Sequence, residues 1–283
     1  MANKIEKKKK AYNKRVIPGF GISLGVTLTL LSLIVLIPMA SIVMFTAKLS
    51  FPDFIQIVTA KDIVSGYKVS FLCALIAASV NCFFGVILAW VLVRYEFPWK
   101  RILDGLIELP FALPTAVAGI ALTSLYSDKG WIGSIFAKVG IKIAYTKVGI
   151  IIAMVFIGIP FVVRAIQPVL EKLDKQYEEA ATMLGASHRR TFLKVIFPEI
   201  FPAMLTGFGL ALARGIGEYG SVVFIAGNIP YKTQIAPLLI MTKLEQFKYT
   251  DATAIALVML IASFLILFFI NIIQSRVNKI TSN

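Results

Sequence analysis

Two ionisable side chains, Arg214 and Glu218, stand four residues apart within ALARGIGEYGSVVFIAG, a stretch that is otherwise apolar or small. A charge at membrane depth is costly and faces either a protein interior or a watery path. If the stretch is helical, this spacing puts both groups on one face, where they neutralise each other. Two chemistries follow: an ion pair that fixes how helices dock, or a pair lining a translocation path, with Arg214 offering positive charge to an anion. Gly207, Ala211 and Gly215 recur every fourth residue and form a small-residue face that permits close helix packing. Residues 215–220, GIGEYG, satisfy GxGxxG, but a dinucleotide fingerprint needs a preceding strand and a following helix in a soluble βαβ unit. Inside an apolar span the match carries no nucleotide chemistry. The sequence contains no GxxxxGK[ST] phosphate loop and no plausible Ser/His/Asp arrangement, so neither catalysis nor ATP binding is expected of this chain. His188 is the only histidine, and Cys73 and Cys82 both fall inside one apolar run, so small-residue packing is expected there and no metal site.

A second feature is a polar interruption, EEAATMLGASHRRTFLKVIFP, from Glu178 to Pro198. Small residues Ala180, Ala181 and Ala186 leave room for another surface to approach closely. Gly185 follows where a helix would end on a left-handed residue. Ser187 stands where it could cap a second short helix, ahead of Arg189, Arg190 and Lys194. A helix, a glycine bend and another helix would make a rigid knob. The alternative is an amphipathic connector in the headgroup layer, its basic residues meeting anionic lipid.

The elements that must position these groups are membrane helices. Of 283 residues, 58% are hydrophobic, and the mean hydropathy is +0.83, far above a soluble domain. About six runs exceed the roughly 18 residues needed to cross a bilayer; they lie near 20–46, 69–93, 105–126, 148–169, 199–226 and 250–274. The expected organisation is a basic tail over 1–19, a transmembrane unit over 20–274 and a short tail over 275–283. The first run is too long for a cleaved signal peptide.

The net charge of +14 is distributed in a way that argues against nucleic acid. Basic residues crowd the N-terminus (Lys4, Lys7–Lys10, Lys14, Arg15), the loop after the second run (Arg94, Lys100, Arg101), the 171–198 segment and the C-terminus (Arg276, Lys279). These are alternate loops, so the positive-inside rule puts both termini and those loops in the cytoplasm. The leading lysines read as a topology anchor on anionic lipid. Lys61, Lys138 and Lys232 on the opposite side make the bias moderate.

Pro110 and Pro114, in ELPFALP, remove backbone donors and should bend or break the third span near its start. Such breaks are tolerated at membrane depth beside neighbours or a wet cavity. Residues 108–119 are therefore a candidate gate or a plain kinked helix. Pro160 and Pro168 mark the fourth span, with Arg164 between them expected to snorkel toward cytoplasmic headgroups. The loop from Ala226 to Gln246 should face outside, either as a docking surface for an external protein or as a short connector.

Glu179-Ala180-Ala181, Gly185, Val195 and Phe197-Pro198 together resemble the signature of bacterial ABC importer permeases: EAA, three residues, Gly, nine residues, then I-x-L-P. Val195 and Phe197 replace the usual Ile and Leu. ELPFALPTAVAGIAL, ALARGIGEYGSVVFIAGN and TQIAPLLIMTKLEQFKYTDATAIALVML resemble the molybdate and sulfate branch, the last two being especially similar to sulfate/thiosulfate permeases. The likeness runs from about Tyr67 to Gln274. It implies an all-α, polytopic, MetI-like (type I) fold in the cell membrane, with Glu179, Ala180, Ala181 and Gly185 as residues coupling to an ATPase. It also implies a second, related permease, two ATPase subunits that use ATP and Mg, and an extracytoplasmic sulfate-binding protein. Arg214, Glu218, Pro110 and Pro114 are the candidate pathway residues. A molybdate or tungstate permease, or an ion-coupled secondary transporter, is the alternative.

Overall fold

In the computed structural model, residues 20–281 are described, so the lysine-rich tail 1–19 and the last two residues of the chain lie outside them. Every regular element among the described residues is helical, the form in which a single segment satisfies its own backbone without water. Helix α1 spans Phe20–Thr46, and a short amphipathic α2 spans Phe51–Val58, capped by the Ser50 hydroxyl accepting from the Asp53 amide at 3.3 Å. Then come α3 (Lys61–Arg94), α4 (Lys100–Ala112), α5 (Thr115–Tyr126), α6 (Gly133–Ala137) and α7 (Lys147–Lys172). The chain continues through α8 (Gln176–Met183), α9 (His188–Ile216), α10 (Val222–Ile225), α11 (Ala236–Glu245) and α12 (Tyr249–Thr281).

The core is the three-helix junction of α3, α7 and α9. It is dense because its contact faces are small. A Cβ on Gly207 would lie 2.7 Å from the Val162 Cα, and one on Gly215 would lie 3.3 Å from the Ala74 Cβ, so the four-residue repeat seats α9 directly on α7 and α3. Cys73 is fully buried in this junction and Cys82 is half-buried against Met204. Helix α12 packs outside α9, with the Gln274 Nε2 donating to the Thr206 Oγ1 at 2.5 Å. Helix α1 leans on α12, and no residue in its most apolar window is buried. Such a face suits lipid or another protein subunit.

Among the described residues, five helices are long and apolar enough to cross a membrane, and α4 and α5 form a sixth, broken unit bent by 114°. The third expected span is therefore two halves. The break falls in its middle, at Leu113–Pro114, rather than near its start. Leu113 is extended (φ −85°, ψ 135°), as a residue before proline tends to be. Pro110 is accommodated inside α4. The fifth expected span, 199–226, is also corrected: α9 starts earlier and ends at Ile216.

Two helices widen by one π-turn, at Ser32–Leu36 in α1 and at Phe192–Ile196 in α9. In each case a proline, Pro38 or Pro198, follows two residues later. Proline lacks an amide and crowds the carbonyl four residues back, and an i→i+5 turn relieves that conflict without ending the helix.

Candidate functional site

Glu179, Ala180 and Ala181 lie on α8, which ends in a tight glycine turn. Gly185 has φ +79°. Its amide donates to the Thr182 carbonyl at 2.9 Å, and the Ala186 amide donates to the Ala181 carbonyl at 3.0 Å. That pair of bonds is the Schellman closure, which favours a residue without a side chain at the left-handed position. Ser187 takes the extended cap conformation and its carbonyl accepts from the Thr191 amide at 2.9 Å, but its side chain makes no capping bond. The second helix of the knob is not separate: it is the first turn of the long apolar helix α9. Glu179 and Ala180 are exposed, Ala181 is half-buried, and Met183 and Leu184 are each 89% exposed. The knob thus presents a small, acidic face with an apolar tip.

Behind it, α8 is tied down by a residue that sequence reading treated only as a topology charge. Arg94, at the end of α3, donates from Nη1 to the Leu170 carbonyl at 3.1 Å and from Nη2 to the Leu173 carbonyl at 3.0 Å. It also pairs with the Glu178 Oε1 at 2.8 Å. The only local signal was Trp90, one turn earlier, whose ring centroid lies 5.6 Å from the guanidinium carbon.

Arg164 does not snorkel. Its Nη1 donates to the Asp104 Oδ1 at 2.8 Å and to the Gln167 Oε1 at 2.6 Å, and its Nη2 pairs with the Glu108 Oε1 at 2.7 Å. The two carboxylates give this partly exposed guanidinium charge-assisted bonds across the helix interface. The result clamps α4 on α7, reinforced by the Phe111–Phe161 edge-to-face pair with centroids 5.1 Å apart.

Arg214 and Glu218 do form an ion pair, but at the end of α9 rather than deep within a span. Arg214 occupies the last helical turn, Gly217 is the cap, and Glu218 stands in the following turn. Glu218 also accepts from the Ser221 amide at 2.8 Å and from its hydroxyl at 2.9 Å. Those bonds draw the chain out of the helix and into the one-turn α10, which is why the expected span stops short. The Glu218 side chain is 2% exposed and that of Arg214 is 34% exposed, so one charge is locked and the other faces open space. This turn packs against the α4–α5 break: a Cβ on Gly119 would lie 2.5 Å from the Ser221 carbonyl oxygen, and Gly220 abuts Thr115. Pro114 is exposed beside this junction, whereas Pro110 is buried one turn away. The structure therefore brings Arg214, Glu218 and Pro114 to one neighbourhood and turns Pro110 into the protein. About half of the segment from Ala226 to Gln246 is helix α11, anchored on α3: the Ala236 amide donates to the Ser70 Oγ at 2.8 Å, and Leu239 is buried.

Residues 81–282 match the family described as binding-protein-dependent transport system inner membrane component. The chain is 48% identical to the sulfate transport system permease protein CysT of Escherichia coli (strain K12) over 94% of its own length and 96% of that protein. It is 52% identical to the probable sulfate transport system permease protein cysT of Chlorokybus atmophyticus, over 88% and 87% of the two chains. Among solved structures, it superposes with a TM-score of 0.76 on a chain of a bacterial ABC transporter involved in the import of the acidic polysaccharide alginate, at 13% identity over 97% and 98% of the chains. A chain of the MetNI methionine ABC transporter in inward-facing form gives 0.60, at 16% identity over 81% and 99%. These last two likenesses concern the fold. With a family match over most of its length and relatives nearly half identical end to end, this multi-pass membrane chain belongs to the binding-protein-dependent transport system inner membrane components, the permease subunits of ABC importers.

Proposed function

We propose that this chain forms half of the pore of an ATP-driven importer that brings sulfate and thiosulfate into the cell. The observation that carries the substrate is the near-full-length likeness to proteins named as sulfate transport permeases, at 48% identity over 94% of the chain. A related second permease completes the pore, and an extracytoplasmic binding protein delivers the oxyanion. Two cytoplasmic ATPase subunits bind ATP with Mg and close on it. The α8 knob is the part they grip. Glu179, Ala180 and Ala181 offer a low surface that another protein can approach, Gly185 fixes its angle, and the exposed Met183 and Leu184 supply an apolar anchor. Both termini lie in the cytoplasm.

Within the membrane, the partly exposed Arg214 is the cation an oxyanion meets. Glu218 holds that guanidinium in place and offsets its charge, so the anion is attracted without being trapped. The adjacent Pro114 break gives the path a joint between two rigid half-helices. Selectivity rests mainly with the binding protein, and the pore needs only a weak anion site.

The test is uptake of radiolabelled sulfate by cells carrying the full set of subunits, in competition with thiosulfate and molybdate. Uptake that thiosulfate suppresses and molybdate does not is expected. Uptake blocked equally by molybdate would move the chain to the molybdate branch, and uptake without an ATPase subunit would refute the coupling.

A further inference from the structure

One guanidinium ties three elements together at the knob end of the core. Arg94 ends α3, and its side chain is 8% exposed. The carbonyls it binds, at 3.1 Å and 3.0 Å, belong to Leu170 in the last turn of α7 and to Leu173 in its cap. Such carbonyls lack partners within their own helix and carry the negative end of its dipole. The third contact, to Glu178 at 2.8 Å, reaches the first turn of α8. Among the described residues this is the one polar link from α8 to a membrane helix beyond its flanking turns. Otherwise α8 has no buried residue and borders an open groove of about 640 Å³ lined by Trp90, Tyr95, Thr182, His188 and Phe192, among others.

A helix so seated transmits little force through packing. The backbone connects α8 directly to α7 and α9, whereas α3 is separated from it in the chain by α4–α7. The far end of α9 meets the middle of α3 where Gly215 faces Ala74, beside the Arg214–Glu218 pair and about 30 Å along α3 from Arg94. If α9 alone followed the knob, it would have to slide across α3 at that close contact. If α3 and α7 follow as well, the core moves as one body and carries the outer turn with it. We infer that Arg94 is the positioning residue that couples displacement of α8 to α3 and α7, so that the motor's stroke reaches the outer end of the core. The inference rests on the functional reading above. Arginine is required because a planar fork can serve two carbonyls and a carboxylate at once, which the single ammonium of lysine does poorly.

The experiment uses the assembled importer in proteoliposomes with its binding protein, and measures ATP hydrolysed per labelled sulfate imported. Glu178→Gln removes the ion pair but leaves both bonds to the α7 carbonyls in place; Arg94→Lys keeps the charge and loses the fork. Both are expected to raise the ratio at least about fivefold, at undiminished complex yield, the low end of typical coupling between sites. A purely structural staple would lower uptake and hydrolysis together and leave the ratio unmoved. An unchanged ratio in Glu178→Gln overturns the inference, whether or not Arg94→Lys assembles. A wild-type complex that imports no sulfate on ATP overturns the functional reading itself, an outcome visible before any variant is compared.

Discussion

At Gly185 the chain turns with φ +79°, and a Cβ there would meet nothing within 4 Å. The cost of substituting it is therefore backbone strain alone, about 1–2 kcal/mol for an ordinary L-residue in the left-handed region. Gly185→Val should keep membrane insertion and expression while lowering ATP-driven uptake, and Gly185→Asn should recover part of the loss, since asparagine tolerates that conformation. Equal uptake in all three would show that the knob's angle is not used. The ion pair at the end of α9 permits a sharper separation. Removing Arg214 strands a carboxylate whose residue is 1% exposed, and breaking a buried pair costs on the order of 3 kcal/mol, toward the low end because the arginine is partly solvated. Arg214→Ala should lower the melting temperature of the purified complex, and adding Glu218→Gln should restore it. If Arg214 serves the anion path, uptake stays depressed in the restored double variant; if uptake returns with stability, the pair only docks helices. The left-handed glycine and the Arg–Glu spacing were legible because their signals are local. Arg94 and Arg164 were not, because their carboxylate partners, Glu178, Asp104 and Glu108, come from helices distant in sequence that only the packed core brings near.

Among the elements, the broken α4–α5 pair and the turn after α9 constrain each other. Gly119 on α5 lies under the backbone of Ser221, where an added Cβ would be 2.5 Å from the carbonyl oxygen and 2.7 Å from the Cα. Backbone cannot yield as a flexible side chain can, so Gly119→Val must push α5 away from the turn that holds Glu218. A loss of about 1–3 kcal/mol is expected from such overpacking, read as a lower melting temperature in detergent. Gly105→Val, where nothing lies within 4 Å, is the matched control and should melt as the wild type does. Hydrophobic runs found each long helix, because the bilayer's thickness demands its length, but α3 begins eight residues before the expected 69 and α9 eleven before the expected 199, where polar and charged residues carry the helix past its apolar stretch. They failed at the fifth span's end, where apolar residues continue past Ile216 but Glu218 recruits the Ser221 amide and breaks the helix. They also could not tell one kinked crossing from two halves bent by 114°, since proline marks a break without giving its angle.

For the whole molecule, the question is which end of the core faces the cytoplasm. The chain path sorts the connections into two sets. Arg94, Met183 and Arg276 lie toward one end; Lys61, Trp131 and Phe247 lie toward the other. The α4–α5 pair must run the length of the core despite its bend. The Ala144 amide donates to the Tyr126 carbonyl at 3.4 Å, and the Tyr145 amide donates to the Ile225 carbonyl at 2.7 Å, so the end of α5, the entry to α7 and the turn beyond α9 meet together. Lysines occur in both sets of connections. Apart from Arg164 and Arg214, the arginines of the described residues, Arg94, Arg101, Arg189, Arg190 and Arg276, belong only to the knob's set, and by the positive-inside rule we propose that side as the cytoplasmic one. Single cysteines in a background lacking Cys73 and Cys82 test the assignment at three exposed positions: Met183 at 89%, Trp131 at 87% and Phe247 at 78%. A membrane-impermeant maleimide should label Trp131→Cys and Phe247→Cys in intact cells, and Met183→Cys only in inside-out vesicles. Labelling of Met183→Cys from outside would put the knob beyond reach of any cytoplasmic ATPase. Labelling of Phe247→Cys but not Trp131→Cys in intact cells would mean that α4 and α5 fold back instead of crossing, and the joint at Pro114 could then not line a path through the bilayer.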